Sequence, residues 1–270
     1  MVLSTHPVPA AFVTVIAVVL GIGVGLEPWR VVVLGVAFLA NQVSVGLSND
    51  WIDADRDRAV GRTDKPVAQG LIAATTVRNA AFVTAGLAVL LTLPLGWAAT
   101  VAHAVFIVSA WSYNAVLKST ALSVAPYIVS FGLLPLIVTL SSQPPMLAAA
   151  WAPLAGALLG VSAHFANVLP DLDEDRATGV SGLPHRLGVR ASGLVIAGAL
   201  VGASALVVLG PAASPGVAQF VGLGLSAAIS IGCVVLVLSQ RISRLLFVLI
   251  LVGALVNVAL LALSGRALLA

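Results

Sequence analysis

Charge and sulfur are scarce in this chain of 270 residues: 9% of positions are charged, with one cysteine, two methionines and two tyrosines. The lone Cys233 excludes an intramolecular disulfide and a thiolate metal cluster, and its continuous apolar surroundings read as those of a buried structural thiol. No Lys or Arg precedes the first apolar run, so that run reads as a first membrane span rather than a cleaved signal. Strict apolar–polar alternation is missing, which excludes a transmembrane β-barrel. The pI near 9.6 comes without any basic cluster on a polar module, which excludes nucleic acid as a partner. Acid is rarest of all. Of ten acidic residues, nine lie in or just after two short stretches, and only Glu27 stands apart.

What is abundant is apolar surface. Hydrophobic residues make up 60% of the chain and the mean hydropathy is +1.12, values of a polytopic membrane protein. Nine apolar segments are long enough to span a bilayer, at about 8–26, 31–50, 77–96, 98–113, 121–140, 148–169, 191–210, 216–238 and 244–264. The expected fold is therefore an all-α integral membrane protein, one domain over residues 1–270, with nine transmembrane helices around a central cavity. The fourth span is short unless it begins at the Gly96-Trp97 turn. Eleven of the thirteen Lys and Arg follow spans two, four, six and eight, leaving only Arg30 and Arg266 opposite. By the positive-inside rule the chain is a multi-pass protein of the plasma membrane, its N-terminus cytoplasmic and its C-terminus extracytoplasmic.

The two acidic stretches are copies of one pattern. Asn49 to Gly61 and, 118 positions later, Asn167 to Gly179 both read N-x-x-x-D-x-D-x-D-R-A-x-G. They follow spans two and six, so both emerge on the cytoplasmic side as a parallel repeat over one cavity, in loops that cap helices 2 and 6. Asn49, Asp53 and Asp57, like Asn167, Asp171 and Asp175, recur every four residues and form a ladder on one face of a continuing helix. Facing ladders of carboxylates repel and protonate unless a hard divalent cation lies between them. Oxygen donors without His or Cys suit magnesium, manganese or calcium, and magnesium is commonly completed by a substrate phosphate. The arrangement thus points to a metal-bridged diphosphate clamp. Arg62 and Lys65 after the first copy, Arg186 after the second, and Tyr113 and Lys118 between them are candidates to bind its outer oxygens. Asp50, Asn167 and His164, one turn before Asn167, are further candidates for the pocket.

Blander readings compete. Acidic residues at a membrane edge are often solvated loop charges, loop arginines set topology whatever else they do, and histidines inside spans, such as His103, are commonly packed and hydrogen-bonded. An EF-hand calcium loop needs Gly at its sixth position and Glu at its twelfth, and neither copy has them. An ion-coupled transporter also suits a parallel repeat, but these acids cluster at one face with none at the midplane.

These motifs resemble the UbiA superfamily of intramembrane prenyltransferases. The first corresponds to its N-D-x-x-D-x-x-x-D, here Asn49-Asp50-x-x-Asp53-x-x-x-Asp57, and the second to its D-x-x-x-D, here Asp171-x-x-x-Asp175. Arg62-Thr63-Asp64-Lys65-Pro66 and Tyr113-x-x-x-Leu117-Lys118 are similar to two further elements of the family. The resemblance implies an enzyme in which Asn49, Asp53, Asp57, Asp171 and Asp175 hold two Mg2+ ions on an isoprenyl diphosphate, with Asp53, Asp57, Asp171 and Asp175 counted as catalytic. Lys118, Tyr113 and the loop cations Arg62, Lys65 and Arg186 would grip the phosphates. Ionisation of the allylic diphosphate would then prenylate a small acceptor, aromatic if the 4-hydroxybenzoate-type pattern holds, with the apolar tail lying between helices toward the lipid bilayer. A cyclase releasing pyrophosphate without an acceptor is the alternative within the family. The chain departs from the family pattern at Ala54, where many members have Arg, and at Lys65-Pro66-Val67, where the family has R-P-L; both positions bear on the choice of acceptor.

Overall fold

The computed structural model describes the whole chain except residues 64, 173, 174, 176–178, 213, 214 and 240–243, and the side chains of residues 171, 244, 247 and 251. The described residues fold into helices: α1 Pro7–Val24, α2 Pro28–Ile52, a short α3 Ala54–Ala59, α4 Ala74–Thr92, α5 Trp97–Ala115, α6 Ala125–Leu140, α7 Trp151–Val168, α8 Leu183–Leu209, α9 Val217–Leu238 and α10 Arg244–Leu263. By length and composition, five apolar helical segments among the described residues suffice to cross a membrane: Pro7–Val24, Pro28–Ile52, Ala74–Leu95, Leu183–Leu209 and Val217–Leu238. This is a multi-pass integral membrane protein. Large apolar side chains such as Leu90, Val108, Phe220 and Ile231 face outward, as lipid as the surrounding solvent allows.

Sequence punctuation sets the element ends. Proline opens α1 and α2, where its missing N–H costs nothing. Helix α5, where the fourth span was expected, starts at Trp97 directly after Gly96 and runs for 19 residues, but it is not among those five segments. The seventh begins at Leu183 rather than 191, because a turn of helix precedes the apolar run. Gly188 (φ 75°, ψ 174°) separates the two, in a backbone state that only glycine takes without strain.

Packing runs pairwise: α2 lies along α4, α6 along α7, α7 along α8, and α8, α9 and α10 form a C-terminal trio, with α1 against α2, α6 and α10. Small residues permit the closest of these approaches. A Cβ at Gly156 or Gly160 on α7 would meet the carbonyl oxygen of Phe131 or Tyr127 at 2.4 Å. This G-x-x-x-G spacing draws α6 and α7 together and fixes where the α6 aromatics sit.

Two ends of the bundle result. At one, Arg30 donates to the Leu95 and Ser141 carbonyls and pairs with Glu27, in a cavity that Arg266 also lines. At the other gather α3, the 117–123 turn and the segment around Asp175 and Gly182, where a Cβ on the glycine would run into the Lys118 carbonyl.

Candidate diphosphate site

The first acidic block is helical in its hydrogen bonding but kinked. Asp53 N donates to Asn49 O (3.0 Å) and Asp57 N to Asp53 O (2.8 Å), so the four-residue ladder holds, although α2 stops at Ile52 and α3 starts at Ala54. Asp53 and Asp57 are consequently buried on one face, whereas the Asp55 side chain between them is 97% exposed and pairs with Arg58. The second block differs from the expected continuous ladder. Helix α7 ends at Val168 and Leu169–Asp171 is a 3-10 turn, because Pro170 has no N–H with which to continue the helix. Asn167 is exposed there. The Asp171 carboxylate lies outside the described residues.

Asp53 is the hub. Its carboxylate accepts from Asn49 Nδ2 at 3.0 Å and Arg56 at 2.8 Å, and forms an ion pair with Lys118 from the turn after α5. Lys65 reaches the same block from the following loop, 3.2 Å from Asn49 Oδ1 and 3.2 Å from Asp50, which is buried. From the second half, Asp175 pairs with His185 at 3.2 Å.

The electrostatics join the halves. Burial raises the Asp175 pKa, while His185, Arg56 and Lys118 pull it down; two of those three residues come from the first half of the chain. Burial likewise raises Asp57, with Lys65, Arg56 and Arg62 opposing and Asp53 reinforcing. Burial lowers the Lys118 ammonium against the attraction of Asp53. Tyr113, near the end of α5, lies within the electrostatic reach of Asp175, Asp53 and Arg56.

An aromatic stair descends from there. Tyr113 packs edge-on to Tyr127 at 5.2 Å, His164 lies 4.9 Å from Tyr127 and 5.7 Å from Tyr113, and Tyr127 stacks on Phe131 at 6.2 Å. Phe131 in turn lines an apolar cavity of about 40 Å³ between α1, α6, α7 and α10, together with Phe12, Ile16, Leu134, Ala163 and Val258. His164 is fully buried, its Nε2 against Ser123 Oγ at 3.0 Å, and Ser123 also accepts the Leu183 N–H. His103, by contrast, serves packing: it bonds Asn41 and Thr92 and stacks on Phe38.

Of the residues expected from the sequence, the structure gathers Asn49, Asp50, Asp53, Asp57, Lys65, Tyr113, Lys118, His164 and Asp175 at one end. Arg62 sends its field onto Asp57. Arg186 is exposed and donates to the Ser181 carbonyl within its own loop. Arg56, His185 and Tyr127 were not read as site residues. Arg56 stood in the motif itself, three residues after Asp53, a spacing that pairs side chains on a helix; His185 and Tyr127 carried no local signal.

The UbiA prenyltransferase family matches residues 10–246. The chain belongs to that family. A UbiA homologue from Archaeoglobus fulgidus, in structures bound to GPP and Mg2+ or to DMAPP and Mg2+, has the same fold, with a TM-score of 0.74 and 14% identity over 97% of this chain and 98% of that one. A digeranylgeranylglyceryl phosphate synthase is similar at a TM-score of 0.64 and 16% identity over 96% and 93%. Among curated protein sequences none matches.

The donor set of this UbiA member fits a hard divalent cation. Asn49, Asp53, Asp57 and Asp175 offer only oxygen. Burial holds the Asp57 and Asp175 carboxyls up toward protonation, a penalty that an added cation would relieve. Among the described residues no three acidic, His or Cys groups are already drawn into a closed metal cluster. Arg56 and Lys118 occupy the Asp53 carboxylate instead, and His185 lies against Asp175.

Proposed function

We propose that this protein is a magnesium-dependent prenyltransferase that moves the prenyl group of an isoprenyl diphosphate to a small aromatic acceptor, at the cytoplasmic face of nine membrane-spanning helices whose loops after the second and sixth cap the site. The observation that carries the reading is continuity. Asp53 of the first block pairs with Arg56 and Lys118, the same two cations act on Asp175 of the second, and an aromatic stair leads from there to an apolar cavity. A diphosphate with an apolar tail has this shape and this distribution of charge. The A. fulgidus homologue, bound to GPP or DMAPP with Mg2+, supports the choice of donor and metal.

Asn49, Asp53, Asp57, Asp171 and Asp175 would hold the metal, which neutralises the diphosphate and makes it a better leaving group. Lys118 and Arg56 then trade their carboxylate partners for phosphate oxygens and hold the charge that grows as the C–O bond breaks. Arg62 and Lys65 add to that field from the following loop. Tyr113, Tyr127 and His164 line the place where the allylic carbon would sit; the rings offer their faces to positive charge and keep water away from it. Phe131 and the cavity beyond take the tail.

The test is pyrophosphate release by the purified protein with Mg2+ and isoprenyl diphosphates of several lengths, with and without aromatic acids, products being read by mass. Acceptor-dependent release with the matching mass gain is the expected result. Release without acceptor, yielding a hydrocarbon, would make the protein a cyclase; no release under any condition would overturn the reading.

A further inference from the structure

The segment before α1 is part of the site. Leu3–Thr5 forms one 3-10 turn laid against α2. It lands on Gly46: a Cβ there would meet the Thr5 carbonyl oxygen at 2.5 Å, so only glycine lets the turn lie this close. Ser4 is fully buried by the contact. His6 follows with φ 49° and ψ 64°, the one non-glycine residue with positive φ among the described residues. A residue with a Cβ keeps that conformation where its surroundings over-determine it, and such residues cluster at functional sites.

The ring of His6 lies on Lys65, with Nε2 3.1 Å from Nζ. An ammonium has three N–H donors and no acceptor, so the imidazole nitrogen facing it accepts. Asn49 Oδ1 and the Asp50 carboxylate, each at 3.2 Å, face the same ammonium. Two acceptors, one from the N-terminal turn and one from the head of the acidic block, thus face one cation, with the Asp50 carboxylate as its ion-pair partner. Lys65 needs this help. It sits on the irregular loop between α3 and α4, and its four-carbon stem would otherwise sample many rotamers that binding must freeze.

We propose that His6 is a positioning residue of the diphosphate site: held by the turn on Gly46, it fixes the Lys65 ammonium beside Asn49 and Asp50 before the donor arrives. This rests on the reading of the acidic blocks as a diphosphate clamp. Preorganisation of this kind acts on donor affinity rather than on bond cleavage.

The experiment compares His6→Ala, His6→Gln, Lys65→Ala, the His6→Ala/Lys65→Ala double variant and Gly46→Val in the detergent-purified full chain, using geranyl diphosphate with Mg2+ as probe. Binding is measured by calorimetry and turnover by pyrophosphate release, with helix content checked by circular dichroism. His6→Ala raises KM and the dissociation constant about three- to tenfold with little change in kcat. His6→Gln, which keeps an acceptor, recovers most of the loss, and Gly46→Val, which lifts the turn with His6 intact, reproduces it. In the Lys65→Ala background, His6→Ala adds nothing. An unchanged KM in His6→Ala, or an equal loss with and without Lys65, overturns the proposal. Wild-type protein that neither binds nor cleaves the probe would instead overturn the diphosphate reading itself, and this inference with it.

Discussion

Asp53 accepts from Asn49, Arg56 and Lys118 at once. Asp53→Asn keeps its shape and removes its charge, leaving two cations facing a neutral amide. Pyrophosphate release should fall at least about 100-fold, the scale seen when one charge-stabilising group is lost from an active site, while circular dichroism stays near wild type. Lys118→Ala should act differently. It deletes a phosphate ligand and leaves the acid ladder intact, so the apparent affinity for geranyl diphosphate should weaken about tenfold with the order of acceptor preference kept, as titration with donor would show. At this scale the sequence displayed the acids well, because a four-residue recurrence is a property of the local chain. Their partners were less visible. Lys118 meets Asp53 across 65 residues, a separation that no helical period spans. His185 meets Asp175 from the start of a different helix.

Among the elements, the α6–α7 pair decides the inner half of the site. Gly156 and Gly160 let α7 approach the Phe131 and Tyr127 carbonyls, and that approach sets the aromatic stair. A methyl group at Gly160 would meet Tyr127 O at 2.4 Å and Phe131 Cβ at 2.9 Å, so Gly160→Ala must push the helices apart. Overpacking of this kind costs about 1–3 kcal/mol; the variant should melt several degrees lower in detergent and bind donor more weakly. Ala163, a cavity-lining residue on α7, tests the tail path. Ala163→Phe should shift the preferred donor toward shorter prenyl chains, checked by comparing kcat/KM across a length series. Five of the expected spans recur among the described residues as helices long and apolar enough to cross a membrane, since apolar runs and their Pro and Gly borders are written locally. The break of α7 at Pro170 and the extra turn of α8 before Gly188 were less so, because hydropathy marks where lipid lies and not where a helix begins.

For the molecule as a whole, the separation of charge predicts orientation. The acidic end, with most of the cations, should face the cytoplasm, and the Arg30–Ser141 end the outside. In a Cys233→Ser background, Ser142→Cys should react in intact cells with a membrane-impermeant maleimide, and Val60→Cys, in the loop after α3, only after permeabilisation. The reverse pattern would invert the topology and place the clamp outside.

Membrane class, the rough course of the spans and the identity of the acidic blocks could be read from the chain alone, because hydropathy and residue spacing along one helix need no knowledge of the rest of the molecule. The same local pattern was enough to resemble the family to which the chain belongs. Folding was needed to show that Arg56 and Lys118, which pair with Asp53, also act on Asp175, that Tyr113, Tyr127, His164 and Phe131 pack in succession, and that His6 touches Lys65. The reason is geometric. Apart from Tyr127 and Phe131, which share α6, those contacts join residues on different elements, and which faces meet is set by close packing at Gly46, Gly156 and Gly160, where the absence of a side chain says only that something comes near and not what.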